Sequence, residues 1–191
     1  AQATTTGKPP LTGFSHGAAG MAVALARLAQ ATAESRFADG ALRAIAYERS
    51  VFDAEKRNWP DFRFSLEPTS FMSSWCHGAP GILLGRHGLE ALGLADEAME
   101  EEMASARYST MKALEMMSQR TNSVAHLCCG LLGLTSVLRF DSQASGLPLA
   151  SEVAQAELAL IAQANAAGGY VFFSVDTGSL NLPGLYAGKS G

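Results

Sequence analysis

Four glycine-marked segments, spread evenly along 191 residues, constrain this chain more than any other feature. They are Gly13-Phe-Ser-His-Gly-Ala-Ala-Gly20, Trp75-Cys-His-Gly-Ala-Pro-Gly81, Leu127-Cys-Cys-Gly-Leu-Leu-Gly133 and Gly184-Leu-Tyr-Ala-Gly-Lys-Ser-Gly191. Each contains Gly-x-x-Gly, and aligned they recur every roughly 50 to 60 residues, the mark of a repeat architecture. One such motif means little. Four in phase call for one supersecondary unit used repeatedly.

Each segment that has chain left after it leads into an apolar, helix-forming run: Met21 to Leu28, Gly81 to Leu92 and Leu131 to Phe140. Pro80 suits the first turn of the second of these helices. Small residues surround Met21–Leu28 on all sides, which predicts a helix buried all round. More polar amphipathic helices are expected over Ala38–Ala54, Asp96–Met117 and Leu149–Ala164. The middle one places Met99, Met103, Tyr108, Met111 and Leu114 near one face and Glu100, Glu101 and Glu102 largely outside. Pairing an apolar helix with an amphipathic one gives an inner ring and a half-wetted outer ring. Motif glycines would let the inner helices approach closely. Only Gly168–Val175 reads as extended. The fold class is all-α, layered or toroidal.

Bulk properties exclude several functions. A 48% hydrophobic, 17% charged composition suits a folded protein. The net charge of −4, with no Lys/Arg run, gives no reason for a nucleic-acid partner. No apolar stretch reaches the roughly 18 residues of a membrane span and no signal peptide is visible, so a cytoplasmic protein is expected. Three cysteines, two of them adjacent, make no disulfide framework. Free thiols then point to burial, metal ligation or catalysis.

If the repeats are equivalent, the helix starts gather at one end, and His16, Cys76, Cys128 and Cys129 converge. Three thiols form a soft donor set that would hold Zn²⁺ with a fourth position open to an incoming thiol. Alone, Cys76 reads more often as a small hydrophobe; the pair at the matching place of the next repeat favours ligation. His16, set among glycines, has no space to fill. His77 and His126 flank the thiols and could support the ligands or stand in for one. His87 falls along a helix, and Trp75 reads as packing.

Two motif matches fail. Gly13-Phe-Ser-His-Gly17 fits the nucleophile elbow of hydrolases, yet the polar, proline-broken residues before it make no strand. Gly188-Lys-Ser ends like a phosphate-binding loop, but Pro183 stands where its first glycine belongs.

With these motifs in hand, the chain resembles the cyclase domain of class II lanthipeptide synthetases (the LanM type), itself similar to the stand-alone LanC cyclases. Leu11-Thr-Gly-Phe-Ser-His-Gly-Ala-Ala-Gly20, Tyr47-Glu-Arg-Ser-Val-Phe-Asp53, Asn58-Trp-Pro-Asp-Phe-Arg63 and Ser74-Trp-Cys-His-Gly-Ala-Pro-Gly81 carry the resemblance in order. It implies an α,α-toroid of helix-pair layers, of which residues 1–191 would be a single-domain fragment holding the last four of seven. Upstream layers and a dehydratase domain would lie outside the chain, and the cut toroid would tend to self-associate. The resemblance also implies Cys76 and Cys128 as zinc ligands and His16 as an acid/base group. Cys129 stands where a histidine is usual, as in a subgroup with three cysteine ligands. There the extra thiolate is expected to make ring closure faster and less selective. The implied reaction adds peptide cysteine thiolates to dehydroalanine or dehydrobutyrine in a dehydrated leader-core precursor, giving lanthionine or methyllanthionine. The competing readings are a non-catalytic helical scaffold and a protein that binds peptide or adds glutathione.

Overall fold

The computed structural model of the protein describes residues 9–63, 69–120 and 123–171. Its helices in chain order are α1 (Ala18–Thr32), α2 (Ser35–Ser50), α3 (Ala79–Glu90), α4 (Glu97–Ser118), α5 (Leu131–Ser145) and α6 (Ser151–Ala167). Among the described residues there is no strand, only isolated bridges. The protein is all-α, with an apolar and a more polar helix alternating as the sequence pattern predicts. Helix ends move by a few residues. The largest change is at α5, which runs on past Phe140 to Ser145, and α2 stops short of Ala54, at Ser50. There the chain reverses, and Asp53 and Asn58 exchange backbone hydrogen bonds of 3.0 and 3.2 Å.

Two compact units divide the chain, one ending at Ser109 and one beginning at Thr110. In the first, α1 packs against both α2 and α3. Its core joins Ala22, Val23 and Ala26 of α1 to Ala41 and Ile45 of α2, Leu89 of α3 and Met99 of α4. The second unit pairs α5 with α6. Leu131, Leu134 and Leu138 there meet Val153, Ala156 and Leu160, each triplet spaced to share one helix face.

Three expectations need correction. Close helix approach belongs not to the motif glycines but to Gly85 and Gly88 of α3. A Cβ at Gly85 would lie 2.8 Å from the Cβ of Ala19, and one at Gly88 2.9 Å from Cγ2 of Val23. Next, α1 is not buried all round: Met21 is 62% exposed and Leu28 40%. Its two packing partners cover the Ala22–Ala26 and Ala19–Val23 faces, and small residues all round do not tell how many neighbours a helix has. Last, Tyr108 faces solvent, at 45% exposure, with the Arg57 guanidinium 4.1 Å above its ring. Buried Ser105, Ala106, Ser109 and Thr110 line that stretch of α4.

The fourth glycine segment, 184–191, lies outside the described residues, as does most of the expected extended stretch. Its first residues show Gly168 capping α6 with φ 75°. Val171 then bridges to Val124 in parallel, accepting the Ala125 N–H at 2.8 Å.

Candidate functional site

The glycine segments build one kind of turn three times. A Cβ at Gly20, Gly81 or Gly133 would fall 2.0, 2.3 or 2.1 Å from the carbonyl oxygen of Phe14, Trp75 or Leu127. Each of these carbonyls lies six residues before its glycine, folded onto the first turn of the helix. Only a residue without a side chain admits that approach. Aligned on these glycines, Ser15, Cys76 and Cys128 are equivalent, and likewise His16, His77 and Cys129.

In the first unit two of these turns adjoin. The Phe14 N–H donates to the Trp75 carbonyl at 3.3 Å, and a Cβ on Gly13 would lie 2.5 Å from Cα of His77. Their rings follow: Phe14 meets Trp75 edge to face with centroids 6.1 Å apart. His16 stacks on His77 at 5.2 Å and 23°. His16 is exposed while His77 is buried, so the pair runs from solvent into the turn. Burial lowers the His77 pKa, and the positive charge of Arg63 lowers it further, against the opposing pull of Cys76 and Asp61. Arg63 is itself tied to Asp61 by a two-pronged ion pair. Burial alone would raise the Asp61 carboxyl, but Arg63 outweighs it and holds it below its ordinary value.

Cys76 is a buried thiol that forms no disulfide. Its Sγ lies 3.1 Å from Oγ of Ser74, a side chain the sequence reading did not single out. In the second unit Cys128 and Cys129 are half-buried and form no disulfide, with Sγ atoms 3.3 Å apart. His126 accepts the Cys129 N–H at Nδ1, 3.0 Å away, so its Nδ1 carries no proton there and serves the turn. His87 lies in α3, as expected, with Nδ1 3.5 Å from Glu90.

Beneath the first turn runs a chain of charge that sequence reasoning also missed. Glu48 of α2 is buried, pairs with buried Arg86 of α3 at 3.0 Å, and accepts the Gly13 N–H at 3.3 Å. Arg86 also meets Glu102, which meets Arg49, which forks onto Asp96 at 2.8 and 2.7 Å. Arg86 Nη2 is buried without a hydrogen-bond partner. Burial pushes the Glu48 carboxyl up to about 7, against the pull of Arg86 and of the Gly13 and Ala19 N–H groups. The available signal was an acidic and a basic residue amid apolar helix faces, which sequence alone cannot pair.

Of the described residues, the first unit offers the Cys76 thiol and the second the Cys128 and Cys129 thiols as soft metal donors. A set of three thiols with no carboxylate suits a soft or borderline ion such as Zn²⁺ and is poor for Mg²⁺ or Ca²⁺. No described helix is long and apolar enough to cross a membrane. A family model described as lanthionine synthetase C-like protein matches residues 2–191. The chain therefore belongs to the lanthionine synthetase C-like family, a family associated with cyclase enzymes that act on modified peptides. A search of curated proteins finds no match.

Proposed function

We propose that this chain is a zinc-dependent cyclase domain of the LanM type in its Cys-Cys-Gly form, closing thioether rings in a dehydrated leader-core precursor peptide. The observation that carries the reading is three thiols in no disulfide, each placed just before the glycine at a helix start, in a chain of this family. Cys76, Cys128 and Cys129 would hold Zn²⁺. The ion would supply one thing, a substrate cysteine kept as thiolate near neutral pH.

What the chain's own residues do follows from their places. The thiolate sulfur bonds to the β-carbon of dehydroalanine or dehydrobutyrine, and the π pair moves onto the α-carbon and its carbonyl as an enolate. A proton delivered to the α-carbon completes the ring. His16 is the donor: exposed, it recharges from solvent, and its stack on buried His77 fixes the ring plane. With Cys129 rather than histidine, the donor set would carry one more negative charge, and a substrate thiolate held there would keep more of its nucleophilicity. We place the protein in the cytoplasm, as a single domain whose remaining toroid layers lie elsewhere in the full-length protein.

Metal content of the wild type beside Cys76→Ala tests this, followed by ring closure of a predehydrated peptide in the full-length protein. One zinc per wild-type chain, lost in Cys76→Ala together with ring closure, supports the reading. A metal retained by the variant overturns it, and so does a metal whose coordination ignores added thiol, the mark of a scaffold. Glutathione offered in the same assay separates intramolecular closure from small-thiol addition. Cys129→His should slow closure and sharpen the ring pattern.

A further inference from the structure

Resting on that reading of Cys76 as a ligand, we propose that Ser74 is a positioning residue whose hydroxyl donates to the Cys76 thiolate and tempers its charge. Ser74 is buried, with 1% exposure, and its Oγ stands 3.1 Å from Cys76 Sγ. A hydroxyl has one proton and two lone pairs. One lone pair takes the His77 N–H at 3.3 Å. The other candidate for the proton is the His77 carbonyl, 3.4 Å away, which already accepts the Ser74 N–H at 3.0 Å. While Cys76 keeps its proton, either group can donate in the Ser74–Cys76 hydrogen bond. Once Cys76 is a thiolate it has no proton of its own, and the serine is the donor by necessity.

The chemistry gives this hydrogen bond a use. Three thiolates around a divalent ion leave a net negative charge, which weakens the attraction for a fourth, incoming thiolate. A charge-assisted O–H···S bond draws electron density from the sulfur lone pair that donates to the metal. It also fixes the direction of the sulfur, because the same oxygen is pinned by the His77 N–H. Ser74 thus offsets part of the charge that Cys129 adds.

Cobalt(II) substituted for zinc in the full chain makes this visible, since sulfur-to-cobalt charge-transfer bands follow the energy of the sulfur lone pair. Ser74→Ala should move these bands to longer wavelength, and Ser74→Thr should leave them in place. A role confined to the turn would alter the unfolding midpoint and leave the bands unmoved, which overturns the proposal while leaving the zinc reading intact. Absence of any such band in the cobalt-treated wild type overturns both. Should Ser74→Ala not fold, Ser74→Thr beside Ser74→Val, alike in shape and different only in the hydroxyl, makes the same comparison.

Discussion

The turn at 74–81 and the turn at 126–133 follow one plan with two different supports. In both, the residue two before the first thiol holds an N–H three residues ahead: Ser74 Oγ takes that of His77, and His126 Nδ1 that of Cys129. They part at the helix start, where the first N–H groups have no partner within the helix. The Leu131 N–H of α5 donates to the Val124 carbonyl at 2.8 Å, and in the turn before α1 Ala18 reaches the matching Leu11 carbonyl at 2.9 Å. In the 74–81 turn the matching carbonyl belongs to Met72, and it presses instead on Gly78, where a Cβ would lie 1.8 Å from it. Gly78 adopts φ +78°, against −102° for Gly130. The Ala79 N–H, deprived of that carbonyl, goes to Asn58 Oδ1 at 2.9 Å, which also takes the Trp59 N–H at 2.8 Å. A backbone-closed turn is self-sufficient; the Cys76 turn has its conformation underwritten by a side chain 21 residues away.

That contrast can be broken at the glycines. Gly78→Ala meets both a backbone overlap and an unfavourable φ, and should lower unfolding stability by roughly 4 kcal/mol in denaturant titration. Gly130→Ala meets only the overlap, at 2.4 Å from the His126 carbonyl, and should cost clearly less. Equal losses would show that the φ difference is immaterial. Asn58→Ala should come next, at about 2 kcal/mol, because it strands two buried N–H groups at once. His126→Ala removes one acceptor from a half-buried turn and should cost about 1 kcal/mol. If His126→Ala proves the larger of these last two, the second turn is not self-sufficient.

The turn before α1 sharpens the comparison through pH. It hangs on Glu48, whose carboxyl is raised from 4.5 to about 7 in the fold. The folded state then binds more protons than the unfolded chain between these values, so stability is full below about 4.5 and is lost as pH rises through about 7. Asp61 and Asp96, held low by Arg63 and Arg49, act oppositely and cost stability as pH falls below the ordinary aspartate range. Glu48→Gln should flatten the decline toward pH 7 in urea midpoints measured across pH and leave the acid limb unchanged. A decline that survives in Glu48→Gln would locate it elsewhere.

Much of this was readable beforehand, for reasons that differ by element. The alternation of apolar and polar helices is local, because periodicity over a dozen residues reports one face and its neighbour. The glycine turns were readable because a steric demand that only glycine meets leaves the same letter at the same spacing. The motif glycines were misjudged in purpose, since spacing does not say whether the close neighbour is another helix or the preceding carbonyl. Exposure on α1 and at Tyr108 could not be read either: an apolar letter records what a residue could bury against, not what stands beside it.

By itself, the sequence determined the family, the order of the helices, the places of the three turns and the supply of soft donors. Each is a property of short stretches and their repetition. Tertiary structure alone decided which polar groups serve which turn. Glu48 reaches Gly13 across 35 residues and Arg86 across 38, and Asn58 reaches Ala79 across 21. Even the contact of Ser74 with Cys76, two residues away, depends on a folded turn that brings Oγ to 3.1 Å from Sγ. Hydrogen bonds, and the hydrogen-bonded contact of an ion pair, are lost within a few tenths of an ångström to an ångström of misplacement, and only the folded chain sets distances on that scale.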